Sequence, residues 1–293
     1  MKISLGSWAF SFGPYAGKPV PFETIAEWLS KAGYDGIEVC GFPPHVTLLS
    51  HPTAASRKEL VKRLSDLKLE VSGYAADFTL ANPVTEGNAD RYLELFKQNL
   101  ELVVEIGSPT IRVDTVAAPG LLDDSEYDGA MDRLAAVWHK AAALAEDAKI
   151  RMVWEFEPGF LFNKPTEILK LHQKVAHANF HVLFDTSHAY MCGVMAARQH
   201  GPKEKLHGGV KEFLNMLSWR IGSIHVIDSD GTLHGDETST HCPFGEGAID
   251  FKALAPDLKL VPDIDWWCID LCFCPDSWSQ IEPSLKYVRK LLE

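Results

Sequence analysis

Ile150 to His188 reads IRMVWEFEPGFLFNKPTEILKLHQKVAHANFHVLFDTSH. An apolar run, a segment whose Pro165 suits a first helical turn, and a second apolar run follow one another, the signature of a strand, a helix and a strand. The first run stops on Glu155 and Glu157, and the second on Asp185 and His188. Carboxylates at the ends of buried strands are costly unless they are paired, hydrogen-bonded or bound to metal.

The same alternation extends in both directions. Upstream, KISLGSWAF precedes PFETIAEWLSKAGY, in which Ile25, Trp28 and Leu29 share a helical face. DGIEVCGF precedes SRKELVKRLSDLKL with its stripe of Leu60, Leu64 and Leu67, EVSGYAADF precedes ADRYLELFKQNLELVVEIG, and PTIRVDTV precedes SEYDGAMDRLAAVWHKAAALAEDA. Downstream, HVLFD leads through a Gly-interrupted region to VKEFLNMLSWRIG, SIHVID through a polar loop to DFKALAPDL, and WWCIDLCF to SWSQIEPSLKYVRKLLE. About eight strand–helix units without a linker predict a parallel sheet closed into a (β/α)8 TIM barrel, one domain over 1–293. No GxGxxG follows the first strand, which disfavours a dinucleotide-binding sheet.

Composition narrows the function. The 293 residues are 46% hydrophobic and 23% charged, ordinary globular values. A net charge of -12, with no basic run, disfavours a surface that holds phosphate backbones, so no nucleic-acid partner is expected. Cys40, Cys192, Cys242, Cys268, Cys272 and Cys274 lack zinc-finger spacing and read as reduced core thiols. MKISLGSWAFSFGPYAG has no basic stretch leading into a long apolar one, and no run approaches a membrane span, so the expectation is a soluble, cytoplasmic protein without a membrane partner.

In a TIM barrel the chemistry collects at the C-terminal strand ends. Here the fifth strand ends in Glu155 and Glu157, the sixth in Asp185 and His188, the seventh carries His225 and Asp228, and the eighth carries Asp270. Singly, each has a plain structural reading: an Asp can cap the next helix, and a His can be a hydrogen-bonded core residue. Four successive strands supplying O or N donors instead suggest a divalent metal, Mn2+ or Mg2+ first, with Co2+ and Zn2+ compatible.

EFEPG, FDTSHA, IHVID and HCPFGEGAIDF resemble the xylose isomerase-like TIM-barrel superfamily of sugar isomerases and epimerases. The most specific elements are D-T-x-H and G-x-G-x-x-D-F, the latter formed by Gly245, Gly247, Asp250 and Phe251. The resemblance implies metal ligands at Glu157, Asp185, His225 and Asp270. Glu155 and Glu157 lie two apart, on one side of a strand, and Glu157 is preferred because it is nearer the loop. Asp270 departs from the family, in which many members have Glu.

The implied reaction is isomerisation or epimerisation of a ketose through a metal-stabilised enediolate, with Glu157 (or Glu155) as base and Asp270 as a second carboxylate for the opposite face. His188 would donate to a substrate oxygen that gains charge. His241 is a further substrate contact, and Trp8 and Arg112, with Phe10, Tyr74 and Trp278, offer an aromatic and polar wall for a sugar, although core packing explains most aromatics equally well. Without a cluster of phosphate-binding groups a neutral sugar is favoured. The resemblance also implies a homo-oligomer. The alternatives are a keto-sugar dehydratase or lyase, using the same metal and base, and a catalytically silent sugar-binding or partner subunit. A DNA-repair endonuclease of the same superfamily is disfavoured, since GYAADF and IRVDTV carry no extra histidine ligands.

Overall fold

The computed structural model describes residues 1–293. The barrel strands are β1 (Lys2–Gly6), β2 (Gly36–Cys40), β3 (Glu70–Ala75), β4 (Thr110–Val113), β5 (Arg151–Glu155), β6 (Phe180–Asp185), β7 (Ile221–Val226) and β10 (Trp266–Ile269). They close in the order β1-β10-β7-β6-β5-β4-β3-β2, with every neighbouring pair parallel. Parallel neighbours require crossover connections, which cover the barrel's outer face. The longer ones are α1 (Phe22–Ala32), α2 (Ala54–Asp66), α3 (Ala89–Glu105), α4 (Asp124–Asp147), α5 (Pro165–Val175), α7 (Gly209–Leu217), α8 (Phe251–Leu258) and α9 (Ile281–Leu292). The predicted closed eight-strand barrel is the observed one.

Local chemistry sets the element ends. Thr53 accepts from the Ser56 N–H and closes a capping box at the start of α2. Pro165 occupies the first turn of α5, where its missing N–H costs nothing. Between barrel and helices lies a core of 74 buried residues, including Trp138, Trp154, Phe156 and Phe180. Trp28 departs from its expected buried face: it is 41% exposed and meets Trp278 edge-on at 5.2 Å. All six cysteines are free and buried. No helix is long and apolar enough to cross a membrane.

Two irregularities prepare the functional end. The register shifts between Ile37 and Glu38 in β2, and between Val182 and Leu183 in β6. In both cases the extra residue is on the partner strand, Ser72 of β3 and Gly222 of β7, and such bulges re-aim the side chains that follow them, His225 among them.

The polar loop expected after SIHVID is instead an antiparallel hairpin of β8 (Asp228–His234) and β9 (Thr238–Cys242). The Asp228 carboxylate anchors it by accepting from the N–H groups of Ser229, Gly245, Gly247 and Ile249 at 2.9–3.2 Å. A Cβ on Gly247 would stand 2.3 Å from Asp228 Oδ1 and 2.5 Å from the Ser229 carbonyl oxygen. The G-x-G spacing therefore serves close backbone approach to Asp228.

Candidate active site at the C-terminal barrel mouth

His225, on β7, is the hub. It is fully buried and stacks on Trp8 at 5.3 Å between ring centroids. Its Nε2 lies 3.0 Å from Glu38 Oε2, while Nδ1 faces Glu155 Oε1 at 3.2 Å and Asp270 Oδ2 at 3.8 Å. Burial opposes its charge, but Glu38 and Glu155 outweigh that and hold the imidazole well above its ordinary range.

Asp270 follows the last barrel strand. Its Oδ1 accepts from Trp8 Nε1 at 2.9 Å and from the Cys272 N–H at 2.7 Å, leaving Oδ2 directed towards His225. Burial would raise this carboxyl, yet the neighbouring imidazoles of His241 and His225 hold it well below the usual carboxylate range. Asp185, at the end of β6, divides its work in the same way. Its Oδ1 caps the short helix α6 (Thr186–Ala189) by accepting from the His188 N–H at 2.8 Å, and its Oδ2 has no hydrogen-bond partner. Burial pushes Asp185 up to about 7 against the opposing charge of His241.

The two carboxylates of EFEPG separate by role. Glu155 ends β5 and joins His225 and Asp270 in a group whose donor atoms all lie within 4.8 Å of one another. It is ion-paired with Arg112, which with His225 overcomes burial and brings it down to about 2. Glu157 falls outside that group. It accepts from Thr238 Oγ1 of the hairpin, stands 3.9 Å from His188 Nε2 and retains 15% side-chain exposure. Burial and the Glu155 charge push it up to about 8.

His188 and His241 form a second group with Asp185. His188 Nδ1 lies 2.8 Å from Ser239 Oγ, and burial lowers its imidazole to about 3, so it stays neutral. His241 is opposite: burial would lower it, but Asp270 and Asp185 hold it at about 9. Arg112 is also committed, to Glu155 and to Asp114 3.8 Å away. The structure thus brings Glu157, Asp185, His188, His225, His241, Asp270, Trp8 and Arg112 to one end of the barrel. Tyr74 and Trp278 are elsewhere: Tyr74 donates to the Val46 carbonyl in the core, and Trp278 packs on Phe10. Glu38, invisible as a functional residue in GIEVC, joins the site from β2 through its contact with His225 Nε2.

Whether this set suits a cation is decided by its orphans. Glu155 Oε1, Asp185 Oδ2, His225 Nδ1 and both ring nitrogens of His241 are buried without hydrogen-bond partners. Buried polar atoms are ordinarily satisfied, and carboxylate oxygens with imidazole nitrogen are the donor set of Mn2+, Mg2+, Co2+ or Zn2+. The residues fit a divalent metal.

The family profile of the xylose isomerase-like TIM barrel matches residues 26–287. The chain belongs to this family. Among solved structures it is similar to a D-tagatose 3-epimerase-like protein, at 20% identity, covering 100% of this chain and 97% of the other, with a TM-score of 0.75. D-psicose 3-epimerase from Clostridium cellulolyticum H10 is 14% identical over 100% of both chains, with a TM-score of 0.74. The probable 3-DHS dehydratase AsbF from Bacillus anthracis is 16% identical over 99% of both, with a TM-score of 0.72. No curated protein matches the sequence. The structural neighbours of this family member thus include sugar epimerases and a dehydratase.

Proposed function

We propose that the protein is a divalent-metal-dependent isomerase or epimerase of a keto-sugar. The observation that carries this reading is that orphaned buried donors of Glu155 and His225 converge beside Asp270, with the orphaned oxygen of Asp185, the register partner of His225, on the adjoining strand, at the mouth of a sugar-epimerase-like barrel. Glu155, Asp185, His225 and Asp270 would hold the metal; Glu155 replaces Glu157 in the set expected from sequence because it, and not Glu157, stands with His225 and Asp270. A divalent ion there supplies Lewis acidity to a substrate carbonyl, which acidifies the neighbouring C–H.

The chain's own residues provide the proton chemistry. Glu157, pushed up to about 8, exchanges a proton near neutral pH, whereas Asp270 is held too low to be an effective base and serves as an anchored ligand. His188 donates from Nε2 towards the oxygen that gains charge, with the Ser239 hydroxyl donating to Nδ1 to fix that tautomer. Arg112, neutralised by Glu155 and Asp114, shapes the cavity and orients Glu155, and Trp8 holds Asp270 in place.

A second reading has its own support. With one carboxylate suited to proton transfer and a cationic His241 nearby, Glu157 could take the proton while His241 protonates a departing β-hydroxyl, which is dehydration. The test is elemental analysis of metal-reconstituted wild type and Asp185→Ala, with both assayed in D2O for exchange of the α-proton on a panel of keto-sugars. About one metal per chain, lost in the variant together with exchange, is the expected result. No metal in the wild type after reconstitution would refute the proposal, and exchange followed by loss of water would select the dehydratase.

A further inference from the structure

The cavity above these groups has a volume of ≈ 390 Å³. It falls within the roughly 300–1,000 Å³ of sites that enclose drug-sized ligands, more than a single six-carbon sugar fills. Its floor is polar, formed by Glu155, Glu157, His188, His241 and Asp270. Its rim is different in kind. Trp8, Cys40, Ala75, Cys268 and Cys272 form an apolar cluster separate from the main core, and Phe12, Phe42 and Phe273, all partly exposed, pack on it. Phe12 meets Phe42 edge-on at 5.6 Å, and Phe273 stacks on His234 of the hairpin at 4.4 Å. Because Trp8 also bonds to Asp270, the apolar strip runs without interruption from floor to mouth.

The rim is held at a cost. Phe273 has φ +58, a left-handed backbone that bulky residues rarely adopt. Gly13 makes the room: a Cβ there would stand 3.0 Å from the Phe273 ring. Strain of this kind persists where surrounding structure imposes it, often at ligand clamps.

Charge and hydrogen bonding restrict the occupant. Five carboxylates line the cavity (Asp114, Glu155, Glu157, Glu237 and Asp270) against two arginines, and Arg112 is already paired with two of them. A bound divalent ion offsets part of this charge, and with Arg112 committed the lining offers an anionic substituent no dedicated buried arginine. The hydroxylated tail of an open-chain ketose would lose water against phenyl rings that offer it no partner. A ring with an apolar face instead gains from aromatic contact.

We propose that Phe12, Phe42 and Phe273 form a second subsite for the glycosidically linked ring of a neutral keto-glycoside, whose keto ring lies on the polar floor. This rests on the keto-sugar reading above. The test is calorimetric titration of the metal-loaded protein with methyl, phenyl and glucosyl β-glycosides of one keto-hexopyranose, which differ only beyond the glycosidic oxygen. The phenyl or glucosyl compound should bind about five- to ten-fold more tightly than the methyl compound. That advantage should fall several-fold in Phe42→Ala and less in Phe42→Leu, which keeps the packing of the rim. A gain for phenyl alone identifies an aromatic aglycone, and for glucosyl alone a second sugar; either supports the subsite. Equal binding of all three, or an advantage unchanged in Phe42→Ala, overturns the subsite and leaves the keto-sugar reading intact. Failure of all three to bind overturns both.

Discussion

Glu38 Oε2 lies 3.0 Å from His225 Nε2, on the side of the ring away from Glu155 and Asp270. The carboxylate accepts the Nε2 proton, so Nδ1, which has no hydrogen-bond partner, is the nitrogen that would give up its proton to a metal. A carboxylate behind a metal-binding imidazole orients the ring and raises its basicity.

Glu38→Gln should therefore weaken metal binding about 10–100-fold, with the fold retained. The measurement is metal affinity by competition with a chromogenic chelator. Unchanged affinity would show that Glu38 merely fills the barrel interior.

Glu155 and Glu157 should part company in the same assay. Glu155→Gln removes an oxygen from the group that includes His225 and Asp270, and is expected to lose metal. Glu157→Gln should keep the metal and lose about 10²–10⁴-fold in α-proton exchange, the size of a general-base contribution. Thr238→Val refines the point. The Thr238 hydroxyl donates to Glu157 and lowers its pKa, so its removal leaves less carboxylate at neutral pH. The rising limb of the pH–rate profile should move to higher pH.

The limits of sequence reading fall at identifiable residues. The barrel was legible because each strand is a short apolar run and each helix repeats its apolar positions at helical spacing. Asp185 and His225 were legible because charge inside such runs needs a reason. The choice between Glu155 and Glu157 was not, since both point inward and only the contacts of Arg112, His225 and Thr238 tell them apart. Glu38 was hidden because its partner, His225, lies across the barrel and far along the chain, and the β8–β9 hairpin by a polar sequence with no apolar alternation, held by the Asp228 carboxylate.

That carboxylate gives a stability prediction. Asp228→Ala would strip four backbone N–H groups of their acceptor. With about 1–3 kcal/mol for each donor left buried and unsatisfied, and water reaching the more open ones, a loss of several kcal/mol is expected. Chemical denaturation should show it as a lower midpoint with an unchanged slope. A loss below about 1 kcal/mol would mean that the hairpin is held by its ladder alone.

The pH dependence of stability should carry the mark of His181, which lies on the barrel at the end away from the candidate site. Burial, reinforced by the Arg151 charge, lowers its imidazole to about 4, against 6.5 ordinarily. Above pH 6.5 neither folded nor unfolded protein binds this proton. Between 6.5 and 4 the unfolded chain takes it up and the folded one does not, so stability falls as the pH falls through that window. Acidic groups whose folded pKa is depressed, such as Glu155 at about 2, lose their contribution at lower pH, below about 4. Denaturation midpoints at pH 7.5 and 5 should therefore differ less in His181→Gln, which has no imidazole to protonate, than in the wild type. An equal difference in the two proteins would remove His181 as a source of the acid sensitivity.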